Sequence, residues 1–103
     1  MIVIHVSFLW VDGMALFPFV LVRRRNPPLW LLNHERIHLR QQLEMGLLPF
    51  YVWYLTEFLV HWLRCGNLQR AYRRISFERE AYTNDENLDY LQSRKFWAFL
   101  GYF

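Results

Sequence analysis

Between Ile2 and Val11 apolar and polar side chains alternate. Ile2, Ile4, Val6, Phe8 and Trp10 fall on one side and His5 and Ser7 on the other, the period of a half-buried strand. Asp12-Gly13 is a strong tight-turn signal, because Gly tolerates the positive φ of a primed turn, and the β-rich run Met14 to Val22 returns the chain. The pattern predicts an N-terminal β-hairpin over 2–22. Pro18 has no N–H to give to a ladder, so the second strand is expected to be an edge strand or to bulge there.

After Arg23-Arg24-Arg25 the spacing of apolar positions changes to that of helices. Asn26 is the expected cap and Pro27 the first residue of a helix over 27–45, which Gly46 ends. A second helix, 47–64, opens near Pro49, closes at Cys65-Gly66-Asn67, and is apolar nearly all round except for a stripe of Glu57, His61 and Arg64. Eighteen residues span about 27 Å, close to a bilayer core, but Glu57 would then sit near the middle, so a buried or surface-lying helix is expected instead. Glu57 and His61 read as a helical i,i+4 pair.

Asn67 restarts a short basic helix, Leu68 to Ile75. Ser76 is then the expected cap of a helix over 77–92 that carries Glu78, Glu80, Asp85, Glu86 and Asp89. Ser93 introduces an aromatic tail from Arg94 to Phe103, expected to close the core. A hairpin followed by helices makes an α+β domain.

The chain of 103 residues is expected to form one domain spanning 1–103. Its 54% apolar and 19% aromatic content, with five Trp, six Tyr and nine Phe, exceeds what the core needs, so some rings should face a partner, a second copy or a membrane surface. The net charge of +3 is scattered among acids apart from Arg23–Arg25 and Arg70–Arg74, and no nucleic-acid reader motif accompanies it, so no nucleic-acid partner is expected. Cys65 is the only cysteine, which excludes an internal disulfide and a C-x-x-C metal site. The apolar N-terminus lacks a leading basic region and is broken by Asp12-Gly13. A cytoplasmic protein, in peripheral membrane contact or homo-oligomeric through its aromatic helices, is expected.

The chemistry lies in His34-Glu35-Arg36-Ile37-His38, the pattern H-E-x-x-H inside the first helix. Two histidines four apart share one helix face and can reach a single Zn2+, with Glu35 beside them to polarise a water. A catalytic zinc keeps three protein ligands, so a carboxylate from a later helix is needed. Glu78 and Glu80 are the candidates, and being two apart on a helix they point to nearly opposite sides. The helical wheel, with Phe77, Ala81, Leu88 and Leu91 as its buried face, slightly favours Glu80. Gln41 reads as an ordinary surface amide, with a bond near the site as the other reading.

NHERIHLRQQLEM followed some forty residues on by AYRRISFEREAY resembles a group of small bacterial proteins carrying H-E-x-x-H, then Q, then an F-E-x-E-A-Y segment. These look like minimal gluzincins, the zinc metallopeptidase group that includes thermolysin-like enzymes. The resemblance covers roughly residues 14 to 97. It implies His34, His38 and Glu78 as zinc ligands, with Glu80 in reserve, and Glu35 as general base for hydrolysis of a peptide or protein substrate aligned on an edge strand within Met14 to Val22. Tyr82 occupies the position where many gluzincins carry a carboxylate supporting a zinc-bound histidine, so that support must come from elsewhere. Tyr82, with Tyr72 and Tyr90, is a candidate oxyanion donor. The alternative is a non-catalytic protein that binds a membrane or partner and carries a structural or vestigial metal site.

Overall fold

A computed structural model describes residues 2–9 and 11–103 and is α+β, with a small sheet followed by helices. The sheet contains β1 (Ile2–His5), β2 (Gly13–Leu16) and β3 (Phe19–Val22) in the order β1-β3-β2. β3 is central. It pairs parallel with β1, Ile2 opposite Phe19 and His5 opposite Val22, and antiparallel with β2, Gly13 opposite Val22 and Leu16 opposite Phe19.

The expected hairpin is therefore corrected. The reversal falls at Phe17-Pro18, between β2 and β3, and Asp12-Gly13 instead leads into β2. Proline, lacking an N–H, sits in the turn where no ladder donor is required, and leaves β3 free to pair on both edges. The alternation in β1 does not report a buried face, because Ile2, Val3, Ile4 and His5 are all exposed. β1 is an edge strand whose side chains are all exposed, while Val20 and Val22 of β3 pack with Ala15, Leu39 and Leu32 into the first core cluster. The Trp10 end of the predicted strand lies outside the described residues.

Helix α1 (Leu29–Met45) starts two residues later than expected. Pro28, not Asn26, precedes it, and the Pro28 carbonyl accepts from the amides of Leu31 and Leu32. Gly46 ends α1 at φ +83°, a backbone state that a side chain would strain, and the chain turns directly into α2 (Leu47–Cys65). Asn67 caps α3 (Leu68–Arg74) by accepting from the Arg70 amide at 3.0 Å. Ser76 is not a cap but the first residue of α4 (Ser76–Asn84), and its amide and hydroxyl both donate to the Glu57 carboxylate of α2. A side chain from another helix thus satisfies the orphan N-terminal donor. The same Glu57 lies 3.8 Å from His61, the i,i+4 pair expected from the sequence.

The predicted 77–92 helix is broken. It stops at Asn84 and resumes as the single turn α5 (Tyr90–Ser93). Between them the Asn33 amide of α1 donates to the carbonyls of Asn84, Asp85 and Asn87. The Asn84 carbonyl accepts the Asn87 amide, three residues on, at 3.1 Å, a turn rather than a helical bond, and the Asn- and Asp-rich segment favours such a turn, which the Asn33 amide ties to α1. Leu88, assigned by the wheel to the buried face, is accordingly 52% exposed.

Phe50, Ile75, Phe77 and Phe99 form the second core cluster. Phe99 comes from a short 3-10 helix, Ala98–Tyr102, with its ring centroid 4.4 Å from that of Phe77, so the aromatic tail closes this core. No single helix among the described residues is long and apolar enough to cross a membrane; α1 and α2 reach that length only together, and they are bent by 113°.

Candidate metal centre

Helix α1 contacts both the sheet and α4, and several of its buried positions are polar: Asn33, His34, His38 and Gln41 bond α4 or the segment after it, while Gln42 bonds Ala15 and Phe17 on the sheet side. His34 and His38 present Nε2 to the same point. Their Nε2 atoms lie 3.2 Å apart, and Glu78 Oε1, from the first turn of α4, lies 3.1 Å from each. All three residues are buried.

Both histidines are held at their other ring nitrogen. His34 donates from Nδ1 to Asp85 Oδ2 at 3.1 Å, and His38 donates from Nδ1 to Gln41 Oε1 at 2.8 Å. A carboxylate only accepts, so Nδ1 of His34 carries the proton and its Nε2 keeps the lone pair. The Gln41 amide is oriented by its own partners. Its nitrogen faces two acceptors, the Phe77 carbonyl at 3.2 Å and Glu80 Oε1 at 3.0 Å, which leaves its oxygen for His38. Neutral imidazoles held in this way aim two lone pairs and a carboxylate oxygen at one point, an arrangement that needs a cation or a proton between them.

The dimensions fit a small metal ion. A tetrahedral zinc with bonds of about 2.0–2.1 Å sets its ligand atoms about 3.3 Å apart, close to the separations here. Without an ion a proton serves. Burial by itself pulls the His38 imidazolium down, but the charge and hydrogen bond of Glu78, with the Glu35 charge and the Gln41 bond, together more than offset this and its pKa is raised to about 9. Burial by itself would raise the Glu78 carboxyl, yet His38 and His34 hold it well below the usual carboxylate range. Its second oxygen accepts from the Tyr54 hydroxyl at 2.6 Å, so Glu78 offers a single oxygen to the cluster.

Glu35, between the histidines in sequence, turns toward the sheet. A Cβ on Gly13 of β2 would stand 3.0 Å from Glu35 Oε1, so glycine admits the carboxylate against the strand. Burial pushes the Glu35 carboxyl up, and the nearby His38 and His34 only partly offset this. Two clefts meet at Glu35. One, of about 510 Å3, runs past His34, Tyr72, Arg73 and Tyr82; the other, of about 370 Å3, runs past His38, Glu78, Tyr54 and Leu55.

Glu80, the ligand favoured by the helical wheel, is not at this cluster. It is 0% exposed and binds Arg94, Tyr90 and Gln41. Arg94 reaches across to Glu44 as well, forming a buried Glu44–Arg94–Glu80 bridge. Tyr90 belongs to that bridge and lines neither cleft at Glu35, whereas Tyr72 and Tyr82 do. Tyr82 packs edge-on against His34, ring centroids 4.5 Å apart. Gln41, read from the sequence as a surface amide, is fully buried.

Sequence reasoning missed Asp85, Tyr54 and the bridging Arg94. A phenol in the apolar stretch of α2 was a usable signal for Tyr54, since a buried phenol needs a partner. Nothing local marks Asp85, whose role depends on the break after α4.

These features define a buried two-histidine, one-carboxylate constellation with a second carboxylate poised beside it. No family profile, characterised protein or solved structure matches the chain.

Proposed function

We propose that the protein is a zinc-dependent hydrolase of peptide bonds, similar to the gluzincin metallopeptidases. The reading rests on one observation, the convergence of His34 Nε2, His38 Nε2 and Glu78 Oε1 with all three separations at 3.1–3.2 Å. A zinc ion held by those atoms would supply Lewis acidity toward a scissile carbonyl and make a water nucleophilic at neutral pH. Asp85 and Gln41 keep the histidine lone pairs directed at the ion, and Tyr54 holds Glu78 to one oxygen.

Glu35 is the general base. Burial raises its proton affinity above that of an ordinary carboxylate, which suits it to take a proton from the attacking water and return it to the leaving amine. Tyr72 and Tyr82 line the same cleft, and burial raises both phenols, so they remain O–H donors for a developing oxyanion. The β2 edge beside Glu35 offers backbone groups to an extended substrate. Its free length is short, because Gln42 and Tyr51 already donate to the Ala15 carbonyl and Gln42 accepts from the Phe17 amide.

Metal analysis of the purified protein tests the binding step, with one zinc per chain expected and loss of it in His34→Ala. A wild-type chain with no more zinc than that variant would overturn the reading. Glu35→Gln should keep zinc and lose cleavage of a peptide library by a hundredfold or more, on the order of general-base contributions.

A second reading, a partner- or membrane-binding protein with a structural metal, has its own support. Leu48, Val52, Leu55, Leu59 and Leu63 are exposed along α2, Leu63 at 84%. Zinc retained together with binding to lipid vesicles, and no cleavage of any peptide, would favour it.

A further inference from the structure

We infer that the substrate carries a carboxylate, recognised by Arg73, on one side of the reacting bond and an apolar side chain on the other. The inference rests on the peptide-hydrolase reading and adds the substrate class. The two clefts that meet at Glu35 differ in character, and both follow the β2 segment. The first, walled in part by Trp30, Leu31 and Leu68, carries the polar groups Asp12, Arg23, Gln69 and Arg73; the second, beside Met14 and Leu16 of β2, is lined by Leu55 and Phe50. Gly13, Glu35, Phe58 and Tyr72 line both, so a chain laid along β2 across Glu35 would meet the two arginines at one end and an apolar cleft at the other.

Of the two cations in the first cleft, Arg23 is already paired with Asp12. Arg73 has no carboxylate partner among the described residues. Its guanidinium carbon lies 3.8 Å above the Tyr82 ring, and that ring packs against His34. Stacking uses the face of the guanidinium and leaves its N–H edge free, the edge that binds a carboxylate through two parallel hydrogen bonds. Arg73 is thus held as a planar donor next to a proposed zinc ligand. The carboxylate can come from an Asp or Glu side chain or from a free C-terminus, and the chemistry at Arg73 is the same.

Binding of fluorescent peptides to zinc-loaded Glu35→Gln protein tests this without requiring turnover. Each peptide carries one Leu or Phe, with Glu or Gln placed before or after it, and ends in a free or amidated C-terminus. The carboxylate peptide should bind about five- to tenfold more tightly than its amide counterpart, a margin that shrinks with salt. The Glu–Gln pairs and the free–amidated pairs identify which source is used. Adding Arg73→Gln should abolish the margin, and adding Arg73→Glu should reverse it in favour of a Lys peptide. Arg73 is exposed, so these variants should fold. Equal affinity for carboxylate and amide peptides, no binding of either, or a margin that survives Arg73→Gln would overturn the inference. Wild-type cleavage without acidic preference would sink this inference and leave the hydrolase reading standing; acid-dependent binding through Arg73 without cleavage would do the reverse.

Discussion

Asp85 Oδ2 lies 3.1 Å from His34 Nδ1 across fifty-one positions of sequence. The contact forms where α4 stops at Asn84, and there the amide of Asn33, the neighbour of His34, ties the Asn84, Asp85 and Asn87 carbonyls to α1. One turn of α1 therefore supplies both a proposed ligand and the amide that brings that ligand its support.

Replacing that support should weaken metal binding without unfolding the chain. Asp85→Asn can present an N–H to His34 Nδ1, which favours the tautomer with its proton on Nε2. Zinc affinity measured by chelator competition should fall about ten- to a hundredfold. An unchanged affinity would mean that Asp85 is not a positioning group.

The Glu44–Arg94–Glu80 bridge gives a separate stability prediction. The Arg94 side chain is only 1% exposed and those of Glu44 and Glu80 3% and 0%. Arg94→Met leaves two buried carboxylates facing each other, and should cost about 3–5 kcal/mol in urea unfolding. A change below about 1 kcal/mol would show that water enters and screens the pair.

Gly13→Ala isolates the close approach of Glu35 to the strand. The added methyl would press on Oε1 from 3.0 Å, so the carboxylate must shift by a few tenths of an ångström. Peptide turnover should fall by at least tenfold, the scale of a small misplacement of a catalytic group, while zinc affinity stays the same. Loss of zinc in parallel with turnover would contradict the separation of base from ligands.

The His38 pKa of about 9 carries a signed pH dependence. With a folded value above the unfolded value near 6.5, the metal-free protein holds more protons than its unfolded chain between those limits. The contribution is complete below about pH 6.5 and is lost as pH rises through 9, amounting to roughly 3 kcal/mol. Thermal melts of metal-free protein should show that decline, and zinc-loaded protein should not, because the ion displaces the proton. Zinc affinity should accordingly rise with pH up to about 9. Parallel pH profiles for the two forms would refute the proton-for-metal exchange.

Local pattern determined what depends on neighbours in sequence. The α+β class, both long helices, the glycine stops at Gly46 and Gly66 and the Asn67 cap follow from apolar spacing and backbone preference. So does the pairing of His34 with His38 on one helix face, because a spacing of four is a property of the helix itself. Tertiary structure decided what depends on distant partners. A two-residue period cannot say whether a strand will be covered, so β1 kept its alternation and stayed exposed. Pro18 signalled an interruption, but only pairing on both edges of β3 made that interruption the turn. A helical wheel counts Glu80 as flanking the core without recording which residue waits there, and Arg94 claims it. The choice of Glu78 to face the histidines, the end of α4 at Asn84, and the reach of Asp85 to His34 all arise from the packing of α1 against α4, which no window of the sequence contains.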